Sequence, residues 1–266
     1  MPGFNPEQIN IHDLTVEEPE QPADLHFDFQ KDVTAEQWEK IIHDAEVFED
    51  NLAQWHSFLI SQVMLKMGDP EYDLKLTEKH WNRMKKDLGS EKSSEDLCGI
   101  LAWAKLVDAQ KTREMHALHD SDLESLRDAI KLDARNIGSS ASEYVKNQYF
   151  LKILNPKESI HLSNKEIEAV QEWTNKFMNK GYWHVYARYN AQMRVIDSNF
   201  KVNISEENWS HMKDDIKENP SLEFPAWLRI LAADEVKATD NGLEINTRKL
   251  VLEKNDNIDL PEQRKF

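Results

Sequence analysis

The sequence contains few of the residues that form disulfides and tight turns. It has one cysteine, seven glycines and nine prolines among 266 residues. A single cysteine excludes an internal disulfide, and Cys98 lies in the apolar stretch LCGILAWAKLV, which predicts a small buried side chain rather than a nucleophile. The scarcity of glycine and proline, together with 31% charged residues, favours helices over strands.

Long hydrophobic runs and an excess of basic residues are also absent. No apolar run approaches the roughly 18 residues of a membrane-spanning helix, and the first residues, MPGFNPEQINIHDL, lack a basic segment followed by an apolar one. We therefore expect a soluble protein without membrane insertion, either cytoplasmic or delivered into another cell by a route that needs no signal peptide. The net charge of −16 predicts that nucleic acid is not a partner, because neutralising phosphates requires a basic surface.

The familiar catalytic motifs are missing too. The sequence has no HExxH, no GxSxG and no glycine-rich phosphate loop, which favours a protein without catalytic residues or a cofactor. The densest set of potential metal ligands is the segment MHALHDSD, with His116, His119 and Asp120. This spacing is a weak metal motif, so we expect no metal; a helical metal-dependent enzyme centred on the His116–Asp122 segment is the alternative.

What the sequence does contain is a repeat. LTEKHWNRMKKDL at 76–88 recurs as ISEENWSHMKDDI at 204–216, and the frame extends to five units with a period of about 43 residues. Thr34, Thr77, Ser163 and Ser205 stand where a helix start needs a capping hydroxyl. Each unit then has a large apolar anchor at an equivalent position: Trp38, Trp81, Leu123, Ile167 and Trp209.

A second, more apolar helix follows in each unit, so every unit is interpreted as a helical hairpin. A hairpin cannot bury its apolar face alone, and similar hairpins therefore stack. We predict an all-α fold, an α-solenoid-like stack of about five hairpins near 33–75, 76–117, 118–161, 162–203 and 204–244. The alternative is an ordinary helical bundle that contains two similar amphipathic helices by coincidence.

Two flanking segments differ in composition from the repeat domain at 33–244. Residues 1–32 are acidic and contain prolines, which predicts an extended or disordered lead-in. Residues 245–266 begin like a sixth unit and continue into a polar tail, which predicts a truncated closing element. Short apolar alternations before several units, among them SIHL and LEI, are interpreted as extended connectors, and small strands running from repeat to repeat are the alternative.

The stretch GYWHVYARYNAQMRV in unit four is unusually aromatic. Its helical spacing predicts one buried stripe, formed by Tyr182, Tyr186, Tyr189 and Met193. Aromatic and arginine side chains beside that stripe are typical of binding hot spots. We therefore predict a partner-binding face formed by Trp183, His184, Arg188 and Arg194.

These observations favour a non-catalytic protein–protein interaction module, a scaffold built from helical repeats. Residues 1–75 and 204–244 are strongly acidic while the middle is nearly neutral, so we expect the partner to be a protein or peptide of basic character. A bacterial effector or an antidote-type accessory protein is the more specific hypothesis. Self-association through the ends is disfavoured, because like charges would meet there.

Overall fold

The computed structural model describes residues 27, 29–49, 51, 54–89, 93–202, 204–218 and 221–247. The regular elements of this part of the chain are helices apart from one small β-hairpin, which confirms the predicted all-α class. No helix within it is both long enough and apolar enough to cross a membrane. The helices are α1 Phe29–Asp32, α2 Ala35–Glu46, α3 Trp55–Gly68, α4 Glu78–Leu88, α5 Ser94–Val107, α6 Ala109–Met115, α7 Asp120–Arg135, α8 Ile137–Leu154, α9 Asn164–Met178, α10 Trp183–Ile196, α11 Glu206–Glu218 and α12 Phe224–Ala232.

Capping hydroxyls begin the first helix of several hairpins, as the spacing predicts. Thr34 and Gln37 form a reciprocal capping box at the start of α2, and Ser163 and Glu166 form another at the start of α9. The Ser205 hydroxyl accepts a hydrogen bond from the backbone N–H of Asn208 at 3.2 Å. Each of these bonds satisfies a helix N–H group that has no partner inside the helix.

A buried histidine replaces the usual carboxylate or amide at the start of α4. The backbone N–H of Thr77 donates to Nδ1 of His80 at 3.1 Å. Nδ1 therefore carries no proton, and Nε2–H donates to the carbonyl of Glu49 at 2.9 Å. The side chain of His80 thus caps the start of α4 and joins it to the turn that follows α2.

The second helix of each hairpin lies inside the molecule. Helices α2, α4, α7, α9 and α11 bury only a stripe of side chains, whereas α3, α5, α8, α10 and α12 are buried over most of their surface. The inner helices pack in the order α3, α5, α8, α10, α12, and α12 packs against α3. They therefore form a closed ring, with the other helices of the hairpins packed around it.

Ring closure differs from the open stack that the repeat predicts, and solenoid-like stacking is not confirmed. In a solenoid each repeat contacts only its neighbours. Here the Gln37 side chain of α2 donates to the carbonyl of Lys217 in α11 at 3.1 Å. A Cβ atom added to Gly68 at the end of α3 would lie 3.5 Å from Cβ of Pro225 in α12. The first hairpin thus covers the apolar face of the last one, so that face needs no separate cap.

Two of the three tryptophan anchors are buried in the core: Trp81 is 7% exposed and Trp209 is 5% exposed. Trp38, Leu123 and Ile167 are only partly buried, although they pack against the core. Cys98 is fully buried, as its apolar neighbours predict. Within the predicted lead-in, Phe27 packs in the core; residues 1–26 and 28 lie outside the described part of the chain.

A basic residue near the end of each inner helix binds backbone carbonyls: Lys66, Lys105, Lys152, Arg194 and Arg229. Two of them bind the connector that follows their own helix. Lys66 donates to the carbonyls of Pro70 and Tyr72, and Lys152 donates to those of Pro156 and Glu158. A cation at a helix C-terminus satisfies carbonyls that lack an intrahelical partner and opposes the helix dipole.

The other three basic residues join neighbouring inner helices. The ammonium group of Lys105 donates to the carbonyl of Ile153 in α8 at 2.7 Å. Arg194 in α10 donates to three carbonyls at the end of α12. Arg229 in α12 donates to the carbonyl of Met67 in α3 at 2.7 Å, across the contact that closes the ring. These bonds help to hold neighbouring helices of the ring together.

A β-hairpin follows α12, where the repeat predicts a connector and then a closing element. Strand β1 is Glu235–Thr239 and strand β2 is Gly242–Asn246, paired antiparallel with Val236 opposite Ile245. Ile245 therefore lies in a strand rather than at the start of a sixth unit, and residues 248–266 lie outside the described part of the chain. Gly242 has a φ of 120° and an added Cβ would lie 3.2 Å from the carbonyl oxygen of Lys105, so the turn requires glycine.

Candidate functional site

The inner helices line a partly open cavity of about 450 Å³, which we call the ring cavity. All five inner helices line it, so its walls come from residues spread over the whole repeat domain. In α5 the lining begins with Glu95 and Asp96 in the first turn, and in α12 it includes Glu223 immediately before the helix. Ring closure creates this cavity, because an open stack would leave α3 and α12 apart.

The walls of the ring cavity are aromatic. Trp103, Phe150, Tyr189 and Trp227 line it, and the rings of Trp103 and Phe150 meet edge to face at 5.8 Å between centroids. Gly99 allows this arrangement, since an added Cβ would lie 3.0 Å from Cε2 of Phe150. Electron-rich ring faces attract cations as well as apolar groups.

Carboxylates outnumber cations among the lining residues. The carboxylates are Glu95, Asp96, Glu143 and Glu223, and the cations are Lys146 and Arg188. Lys146 pairs with Glu143, while Nη1 of Arg188 lies 3.6 Å from Oε2 of Glu223. Asp96 accepts a hydrogen bond from the Ser93 hydroxyl at 2.8 Å, which leaves its charge in place. Glu143 and Glu223 thus have an ion-pair partner, whereas Glu95 and Asp96 have none among the residues that the structure describes.

Two buried amide side chains also line the cavity. Gln192 is only 4% exposed, and its Oε1 has no hydrogen-bond partner among the residues that the structure describes. Asn147 donates from Nδ2 to Asp133 at 3.2 Å. Burial raises the pKa of the Asp133 carboxyl, and the hydrogen bond from Asn147 opposes that rise. Gln192 therefore offers a buried acceptor inside a cavity with an acidic lining.

This set of groups suits a positively charged donor. A guanidinium or ammonium group can donate to carboxylates and to the amide oxygen of Gln192, and its carbon stem can lie against aromatic rings. The cavity volume falls within the range of about 300 to 1,000 Å³ that is usual for ligand pockets.

Arg188 is the predicted site residue that the structure brings into this cavity, where its guanidinium lies 4.7 Å from the centroid of the Tyr189 ring. Trp183 lies at the junction of α10 and α11 instead, with its ring stacked on that of His211 at 5.6 Å. His184 is exposed near Trp183, and Arg194 binds the end of α12.

The predicted buried stripe of α10 is correct at three positions and wrong at one. Tyr186, Tyr189 and Met193 are buried, whereas Tyr182 is 51% exposed. Helix α10 begins after Tyr182, and the preceding Gly181 has a φ of 73°, so helical spacing does not apply to Tyr182. The helix is therefore shorter at its start than its sequence pattern predicts.

The alternative metal residues are not gathered into a site. His119 caps the start of α7 in a box with Asp122, and Asp120 is exposed in the first turn. The rings of His116 and His119 meet edge to face at 6.1 Å between centroids. Within the described ranges, no group of three or more His, Cys, Asp or Glu side chains is placed to hold a metal ion.

Most residues of the ring cavity escape prediction from sequence because they come from five helices. Glu95 and Asp96 follow a serine cap, where acidic residues have an ordinary role in opposing the helix dipole. Gln192 stands among apolar neighbours in AQMRV and carries no motif. Comparison with protein family models, curated proteins and solved structures finds no match to this chain.

Proposed function

We propose that this chain is a non-catalytic protein–protein interaction module that binds a basic protein partner at the ring cavity. The observation that supports this function is a cavity that combines aromatic walls, an excess of carboxylates and the unpaired oxygen of Gln192. A lysine or arginine side chain of the partner enters the cavity. Its charge faces Glu95 and Asp96, and its stem packs against the aromatic rings.

The surface formed by α2 and α11 strengthens this attraction. These two helices lie in the acidic segments 1–75 and 204–244, and the Gln37 side chain near the start of α2 donates to the carbonyl of Lys217 near the end of α11. Glu36, Glu39, Glu206 and Glu207 are exposed on them. An extended acidic surface raises the rate at which a basic partner arrives, and this effect weakens as salt increases.

An antidote-type accessory protein is the specific form of this function that we propose. Such a protein neutralises a basic toxin by covering its positive surface, and needs no chemistry of its own. The acidic surface would attract the toxin, and the cavity would make binding specific by accepting a lysine or arginine side chain.

The test compares two charge reversals of the same kind. Glu95→Lys places a cation in the lining of the ring cavity, whereas Glu168→Lys makes the same change on the exposed side of α9. Immobilised wild-type chain and both variants are incubated with lysate at low and moderate salt, and bound proteins are identified by mass spectrometry. The proposal requires a stoichiometric basic protein that wild type and Glu168→Lys retain and Glu95→Lys loses.

Retention of that protein by all three baits would show that it binds elsewhere on the chain. Absence of any basic protein from the wild-type bait at both salt concentrations would contradict the function itself. Circular dichroism of each bait verifies that the charge reversals leave the helices intact.

A further inference from the structure

A second cavity, of about 640 Å³, lies at the other end of α5 and α8, and we call it the hairpin cavity. It is bounded by the end of α5, helix α6, the connector 116–118 and the turn of the β-hairpin. One side is aliphatic, with Leu101, Leu118 and Leu154. Its size is within the range of pockets that enclose a small molecule.

The polar side of the hairpin cavity carries two basic side chains. Lys105 and Arg113 both line it, and Asp240 is the carboxylate that faces them. Asp240 is exposed, and Arg113 donates to its backbone carbonyl at 3.3 Å rather than to its carboxylate. No carboxylate within the described ranges lies at ion-pair distance from the ammonium group of Lys105. The polar side is therefore positively charged.

The ammonium group of Lys105 has one hydrogen without a partner among the described residues. It is 9% exposed, and its ammonium group donates to the carbonyls of Ile153 at 2.7 Å and Leu154 at 3.5 Å. An ammonium group has three donors, so one remains. Burial lowers the pKa of Lys105, and the neighbouring positive charge of Arg113 lowers it further, whereas Asp240 raises it. An anion in the cavity would offset this cost of burying the charge.

His116 provides a further polar atom in the same cavity. Its Nε2 is buried and has no partner among the described residues. Such an atom usually has a hydrogen-bond partner in a folded protein. With the proton on Nε2, the imidazole ring has a donor available for a ligand at the wall of the cavity.

We propose that the hairpin cavity binds a small carboxylate that carries an apolar chain. The carboxylate accepts hydrogen bonds from Lys105, Arg113 and His116, and the apolar chain lies against the leucine side chains. This site is separate from the ring cavity, and its ligand has the opposite charge to the cation proposed there.

Hexanoate is the probe, and it is titrated into the full chain by isothermal calorimetry. Arg113→Ala removes an exposed cation of the cavity, and Arg135→Ala removes an exposed cation at the end of α7 as the control. A charge-assisted hydrogen bond contributes enough for Arg113→Ala to weaken hexanoate binding about tenfold or more. Arg135→Ala should bind hexanoate as the wild type does.

Hexanol and inorganic phosphate test separately the two groups of the proposed ligand, its carboxylate and its apolar chain. Hexanol should bind at least about tenfold more weakly than hexanoate, because it lacks the charge. Equal binding of hexanol would show that the cavity recognises only the apolar chain and not the carboxylate. Tighter binding of phosphate than of hexanoate would show that the apolar chain is not recognised. No saturable hexanoate binding, or equal affinity in Arg113→Ala and the wild type, would overturn the site.

The side-chain proton resonances of His116 locate the ligand. They should shift on addition of hexanoate, and assignment by comparison with His116→Gln identifies them. A shift confined to other histidines would contradict binding in this cavity.

Discussion

The guanidinium group of Arg194 joins the ends of α10 and α12. Nη1 donates to the carbonyls of Ile230 at 3.0 Å and Leu231 at 2.5 Å, and Nη2 donates to that of Ala233 at 2.7 Å. Arg194→Met keeps the aliphatic stem but leaves these acceptors without their donor. A buried group that loses its partner costs about 1 to 3 kcal/mol, and losses that share one side chain do not simply add. We expect the free energy of unfolding to fall by about 3 to 5 kcal/mol.

Urea unfolding followed by tryptophan fluorescence measures this change. Arg194→Lys should lose less, because lysines near the ends of α3, α5 and α8 bind carbonyls in the same way. Arg188→Met is the matched control on the same helix, and its partly exposed ion pair with Glu223 should cost about 1 kcal/mol or less. A loss for Arg194→Met no larger than that of the control would refute the joining role.

The anchors, the buried thiol and one ion pair give further expectations. Trp81→Ala and Trp209→Ala should each cost about 3 to 5 kcal/mol in thermal or urea unfolding, and losses below about 1 kcal/mol would contradict their burial. Burial, aided by nearby carboxylates, raises the pKa of Cys98 to about 12, so a thiol reagent at about pH 8 should label the unfolded chain and spare the folded one. Arg127 donates twice to Glu158 and holds the pKa of that carboxyl below its ordinary 4.5. The resulting stability is present above that pH and is lost in acid as Glu158 is protonated, so Glu158→Gln should be less stable than wild type at neutral pH and similar to it in acid.

The local parts of the fold could be predicted because their causes are local. Thr34 and Ser163 each act with a residue three positions later, and such a cap requires only its own turn of helix. The two buried anchor tryptophans likewise follow from apolar spacing within one helix. These signals place the hairpins along the chain without saying how the hairpins are arranged in space.

Ring closure could not be predicted from the repeat. It depends on a small rotation between successive hairpins that accumulates over the whole domain, and a period in sequence does not contain that angle. The sequence does contain a pattern that accompanies the contacts between inner helices, but this pattern usually has another explanation. A basic residue lies between apolar neighbours near the end of every inner helix, as in AKL at Lys105 and MRV at Arg194. Such a residue on an isolated helix is expected to extend toward water.

The β-hairpin had a recognisable local signal. Asn241-Gly242 stands between the alternating stretches EVKAT and LEIN, which is typical of a two-residue turn. The period of the preceding units instead predicts an extended connector at LEI and the start of a sixth unit at Ile245. The repeat thus predicts the first four hairpins more accurately than the last.

The candidate site was predictable at one residue, Arg188, because that prediction rested on a single helix. The remaining lining residues become neighbours only after closure, and each has an ordinary role in its own helix. Asp96, for example, belongs to the serine cap of α5 as well as to the cavity lining.

Closure also determines how this domain can change its length. An open array can gain or lose a terminal repeat, and each such event alters one interface. Deleting an inner helix from this ring removes two interfaces at once, and an inserted hairpin would force α12 away from α3. We therefore expect five hairpins to be a fixed number for this architecture. Insertions should be tolerated in the connectors and the outer helices, where they do not alter the circumference of the ring.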